Sequence, residues 1–189
     1  QGVGSKRGEV LVVAFSEGLH DPAKRPTAMD WEKGLLEAWD MLVPCPNTKC
    51  TGKWVVLPKS GPAHCPFCGQ KLGAANFIRF NMKVRRRGSN GQWMSTGMQS
   101  GYHGKRFLPW DTKANQFSDE KVDHVNAPMM ADVVYTQGRW FLRNDALTDM
   151  RSPKGGHVPK GQYIELHDGI SFQLSGGADG LLVEVRIGN

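Results

Sequence analysis

The spacing of apolar residues changes twice along the chain. Between residues 9 and 43 it is helical. Trp31, Leu35, Trp39 and Leu42 recur one turn apart, and Leu36 and Val43 widen the stripe. Thr27 stands at an N-cap position with Asp30 three residues on, close to a capping box. This spacing predicts a helix over 28–42 that stops before Pro44. A short apolar run, 10–19, precedes it, with a turn at Asp21-Pro22 and Arg25-Pro26 between. Buried tryptophans cover about 150–250 Å² each, and Trp31 and Trp39 share this one short helix. The stripe therefore needs a partner surface beyond what a second helix offers.

From residue 73 onward the period falls to two. In 77–85, Ile78, Phe80, Met82 and Val84 share one face, while Arg79, Asn81, Lys83 and Arg85 share the other. That pattern predicts a half-buried strand, followed by a turn at Ser89-Asn90-Gly91. Further strands are expected at 106–109, 131–136, 140–143, 163–166, 170–174 and 181–187. Gln137-Gly138 predicts a tight hairpin, His167-Asp168-Gly169 a second join, and 175–180 a hairpin turn. Short strands with frequent turns indicate an antiparallel β-sandwich. The expected organisation is multidomain and mainly β: a flexible lead-in or tag remnant at 1–8, a helical segment at 9–43, a cysteine-bearing segment at 44–72 and the sandwich at 73–189.

Composition narrows the class. Hydrophobic residues make up 39% and charged residues 22% of 189, as in a globular protein. No apolar run is long enough to span a membrane, and no secretory leader is visible, so the expected location is cytoplasmic. A net charge of +6 invites a nucleic-acid reading. The charges are scattered, however, and the one dense run is Arg85-Arg86-Arg87.

All four cysteines lie in one segment, as Cys45-x4-Cys50 and Cys65-x2-Cys68. Two close-spaced pairs on facing turns complete a tetrahedron of thiolates around zinc, the geometry of a zinc ribbon. Four thiolates suit a closed structural site rather than a catalytic one. In Cys65-Pro66-Phe67-Cys68-Gly69, glycine follows the second ligand, where backbone N–H groups turn toward sulfur and φ is often positive. The segment 54–57 is the expected ribbon strand. An iron–sulfur cluster or a redox disulfide are the alternatives for the same residues, and His64 is a substitute ligand or an exposed neighbour.

The stretch Phe15-x2-Gly18-Leu19-His20-Asp21-Pro22-Ala23-Lys24-Arg25-Pro26-Thr27-Ala28-x2-Trp31 resembles the last two helices of a protein kinase catalytic lobe. In kinases the Asp-Pro-x-x-Arg-Pro-Thr/Ser segment joins these helices. The resemblance implies that Arg25 forms an ion pair with a glutamate near the end of the activation segment. The glycine-rich loop with its lysine, the His-Arg-Asp loop and the Asp-Phe-Gly motif are not in this sequence. The chain is thus expected to be non-catalytic.

Residues 77–188 resemble a forkhead-associated (FHA) domain. The carrying residues are Ala131-x-Val133, Gly138-Arg139-Trp140-Phe141-Leu142-x-Asn144, and Val158-x2-Gly161-x3-Glu165-Leu166-x-Asp168-Gly169-Ile170-x-Phe172. The Ser-Arg-x-His that grips phosphothreonine in that family aligns with Ala127, Pro128, Met129 and Met130. Its Asn-Gly-Thr loop falls near Asp149-Met150-Arg151. The resemblance therefore implies a degenerate phosphothreonine site. Arg143, Arg151, Lys154 and Lys160 surround these loops, as solvated charges or as a different anion site.

The order kinase, four-cysteine ribbon, FHA-like domain resembles bacterial serine/threonine kinase-like proteins that work with a von Willebrand A-type protein and a phosphatase. Such a partner is what the resemblance implies. Trp93, Trp110, His124, Met129 and Met130 are the candidate contacts, with core filling as the alternative, and Arg143 and Arg151 are candidate partner-binding residues too. The rival reading is a nucleic-acid-binding zinc-ribbon protein. A hydrolase has no constellation to argue for it among the six histidines.

Overall fold

The computed structural model describes residues 6–85, 91–114, 116 and 125–188. Arg86, Arg87, the turn residues 89 and 90 and His124 lie outside them. The chain forms two compact units, Gln1–Leu72 and Gly73–Gly188.

In the first unit, α1 (Lys6–Phe15) begins within the segment expected to be a lead-in. A short α2 (Glu17–His20) and a 3-10 turn (Pro22–Lys24) lead to α3 (Ala28–Asp40). Asp21 caps the 3-10 turn, its carboxylate accepting from the Ala23 N–H at 3.0 Å. Thr27 and Asp30 form the capping box reciprocally: Asp30 N–H donates to Thr27 Oγ1, and Thr27 N–H to Asp30 Oδ2.

α3 ends two residues earlier than the stripe predicts. Leu42 and Val43 leave the helix and open β1 (Leu42–Pro44), which pairs with β2 (Trp54–Val56). Pro44 forces its predecessor out of the helical region, and Val43 is then fully buried opposite Val55. A second hairpin joins β3 (Ala63–His64) to β4 (Lys71–Leu72). Met41, Val43, Val55, Leu57, Ala63 and Leu72 are the buried apolar residues of these hairpins. The helices differ. Gly34 is the buried residue of α3, whereas Leu35 and Trp39 are 64% and 63% exposed.

The second unit holds two four-stranded antiparallel sheets. One has β10 (Tyr163–Leu166), β9 (Arg139–Asn144), β8 (Ala131–Thr136) and β7 (Arg106–Phe107) in that order. The other has β11 (Ser171–Gln173), β12 (Leu182–Arg186), β5 (Ile78–Arg85) and β6 (Trp93–Gly101). Both contribute to one apolar core, with Ile78, Phe80, Phe172, Val183 and Val185 from the second and Phe107, Val133, Trp140, Leu142 and Ile164 from the first. The β8–β9 turn is tight because Gln137 and Gly138 both take positive φ, 50° and 77°. His167-Asp168-Gly169 joins strands of different sheets rather than a hairpin.

Two polar residues depart from the alternating pattern. Arg79 is buried, its guanidinium over the Phe77 ring and Nη1 donating to the Gly188 carbonyl at 3.0 Å. Asn144 is fully buried. Its amide nitrogen donates to the Leu147 and Val158 carbonyls, and its oxygen accepts from the Leu147 N–H. Asn144→Ala strands all of these groups in the core. It is expected to cost about 3 kcal/mol in urea denaturation, more than the same change at an exposed strand position.

Candidate metal centre

Each hairpin carries two cysteines at its tip. The β1–β2 ladder is prolonged by Cys45, whose N–H donates to the Lys53 carbonyl at 2.7 Å. The β3–β4 ladder is prolonged in the same way by Cys65, donating to the Gln70 carbonyl at 2.9 Å. The second tip closes through Gly69, at φ 71°, whose N–H returns to the Cys65 carbonyl. In the first tip Lys53 adopts positive φ, 52°, without being glycine. The tips meet where the Phe67 ring lies over the Gly52 backbone: a Cβ on Gly52 would sit 2.0 Å from that ring.

This arrangement gathers Cys45, Cys50, Cys65 and Cys68, with all four Sγ atoms within 4.8 Å of one another. The Cys45–Cys68 and Cys50–Cys65 sulfurs are 3.7 and 3.5 Å apart. Those separations are far beyond a disulfide bond of about 2.05 Å, and all four cysteines are free. They match the edge of a tetrahedron with metal–sulfur bonds of about 2.3 Å, which is about 3.8 Å. Cys45, Cys50 and Cys65 are buried and Cys68 is exposed, so the group opens to solvent on one side. His64 is exposed and is not in the group.

Backbone donors surround the sulfurs. Burial pushes the Cys45 thiol up to about 12, against the Asn47 N–H, which favours the thiolate. Cys50 is raised by burial and by its Cys65 neighbour, with the Gly52 and Lys53 N–H groups opposing. At Cys65 burial acts upward too, but the Phe67 and Cys68 N–H groups and the Cys50 thiol bring it down to about 7. Four crowded thiols cannot all ionise without a cation among them. The donor set and its spacing therefore fit a metal ion held by four thiolates. Among the described residues no other cluster of Cys, His, Asp or Glu has ligand spacing.

The remaining predicted site residues lie outside this group. Arg25 donates from Nε to the Gly18 carbonyl at 2.9 Å, and among the described residues no carboxylate pairs with it. Trp93 opens β6 rather than a loop, with the Arg85 guanidinium 5.1 Å from its ring centroid. Trp110 is half-buried in a 3-10 turn (Pro109–Asp111). Met129 and Met130 are half-buried before β8, and Met130 packs on the core. Arg143 is held by Asp145 and Asp132, at 2.9 and 3.0 Å. These two carboxylates compensate its charge within the protein. Arg151 carries no ion pair among the described residues.

No protein-family model, curated protein or solved structure matches the chain.

Proposed function

We propose that this chain is a non-catalytic, zinc-holding protein-interaction region of a bacterial serine/threonine kinase-like signalling protein. The hairpins with their four cysteines are a zinc ribbon, which acts as a rigid spacer. The two-sheet unit is an FHA-like docking module with a degenerate phosphothreonine site. The module takes a cytoplasmic protein partner, of the phosphatase or von Willebrand A-type class.

The zinc assignment rests on thiolate chemistry. A closed four-sulfur tetrahedron suits a d¹⁰ ion with no geometric demand of its own. The kinase assignment rests on one observation: the turn with Arg25 and the capped α3 is folded, yet the apolar faces beside it are uncovered. Leu11, Val12 and Phe15 of α1 are 51%, 65% and 73% exposed, and Leu35, Leu36 and Trp39 of α3 are 64%, 56% and 63% exposed. Several large apolar side chains exposed on neighbouring helices support an interface there. A catalytic lobe packed on these helices would cover it and bring the missing carboxylate to Arg25.

The coding sequence on the amino-terminal side of Gln1 is the test. The proposal predicts a glycine-rich loop, a His-Arg-Asp loop and a glutamate at the end of an activation segment. A flanking sequence without them would contradict it.

A further inference from the structure

We propose that the hollow between the loop 151–156 and strands β11 and β12 binds a single oxyanion, a phosphate monoester or a carboxylate. It is lined by Arg151, Ser152, Ser171, Gln173 and Gly176, among others. The proposal does not depend on the kinase-like reading, and the site uses none of residues 127–130.

The backbone of Arg151 is fixed by paired hydrogen bonds to Gln173: its N–H donates to the Gln173 carbonyl at 2.9 Å, and its carbonyl accepts at 3.0 Å. The next residue is fixed as well, with the Ser152 N–H donating to the Gly156 carbonyl and its carbonyl accepting from Gly155. The side chain of Arg151 runs over Gly176. A Cβ there would come within 2.9 Å of Arg151 Nε, so a larger residue at 176 would make that side chain shift.

Arg151, Ser152, Ser171 and Gln173 are all half-buried. Among the described residues none of these four side chains has a hydrogen-bond or ion-pair partner. The nearby acid is already engaged: Asp149 Oδ2 accepts from Ser175 Oγ at 2.9 Å and from the Gly176 N–H at 3.1 Å. The hollow is thus lined by one guanidinium without an ion-pair partner among the described residues, two hydroxyls and an amide. Donors with no protein partner are available to a ligand that accepts from them. A guanidinium fork beside hydroxyls matches a planar or tetrahedral oxyanion. Arg143 of the same unit differs, with Asp132 and Asp145 carboxylates 3.0 and 2.9 Å from its Nε.

The test is an amide and arginine-side-chain NMR titration of the whole chain with inorganic phosphate and, separately, with acetate. The expected result is saturable shifts at Arg151, Ser152, Gln173 and Gly176 with one or both ions, and the tighter ion assigns the source of the oxyanion. Arg151→Gln should weaken binding about tenfold or more. Ser171→Ala, which leaves the arginine in place, should weaken it a few-fold, with unchanged shifts in the core verifying the fold. Shifts that never saturate with either ion, or binding unaltered in both variants, would overturn the proposal.

Discussion

Replacing Cys65 by serine is expected to empty the metal centre and unfold the two hairpins while the Gly73–Gly188 unit stays folded. Cys65 is 1% exposed, its sulfur receives two backbone N–H groups, and it sits 3.5 Å from the Cys50 sulfur. A serine hydroxyl is a poor ligand for a soft site. The hairpins have little else to hold them, since β3 and β4 have two residues each and β1 and β2 three. Structural zinc supplies apparent binding free energy of about 10–16 kcal/mol at neutral pH, comparable to or larger than the whole stability of an ordinary domain. In hydrogen exchange, protection over 41–72 should vanish in the variant, and equally on adding a strong chelator to the native chain. Protection in β5, β8, β9 and β12 should persist. Cys68→His offers the graded comparison. Cys68 is the exposed member of the four, and a set of three sulfurs and one nitrogen is also a stable zinc site, so metal should be retained.

Gly180→Ala is expected to produce the largest loss in the second unit. A Cβ at that position would lie 1.9 Å from the Ser175 carbonyl oxygen and 2.7 Å from its carbon. Both are backbone atoms, and the turn between them is fixed from several sides. Gly180 N–H donates to Gly177, Leu174 N–H to Leu181, and Ala114 N–H to Asp179. No rotamer change relieves such a clash, so the turn must open and take with it the join between β11 and β12. A loss of about 4 kcal/mol or more is expected in denaturant melts. Gly97→Ala is the control. Nothing lies within 4 Å of the position a Cβ would take there, and the change should stay within about 0.5 kcal/mol.

What the sequence made legible follows from where periodicity and side-chain chemistry act locally. The strand at 77–85 shows in the alternation of Ile78, Phe80 and Met82, and it forms as Ile78–Arg85. The capping pair Thr27 and Asp30 marks the start of α3, and Gly69 marks the second cysteine turn. Strand β6 is not legible. Its Trp-Met-Ser-Thr-Gly-Met-Gln-Ser-Gly lies at a sheet edge and its burial follows no alternation, so pairing with β5 alone makes it a strand. Leu42 and Val43 look helical because they continue the stripe of Trp31 and Trp39, but a partner strand a dozen residues away claims them. Arg79 falls on the polar face by period, yet the Phe77 ring and the Gly188 carbonyl bury it. Of the candidate metal centre, the gathering of Cys45, Cys50, Cys65 and Cys68 is legible. The backbone N–H groups that face the sulfurs, the Phe67 ring on Gly52 and the positive φ at Lys53 are not, because they exist only once the two tips meet. Nor does any motif announce the hollow at Arg151. It arises because Gly176, a quarter of a hundred residues on in the chain, passes beneath that side chain.

The central claim is that four thiolates hold one zinc ion between the hairpin tips. Elemental analysis of the chain purified without chelators, combined with thiol alkylation, addresses it most directly. The expected result is one zinc per chain and cysteines that resist alkylation until the metal is removed. No metal, or cysteines bonded to one another in pairs, would contradict it.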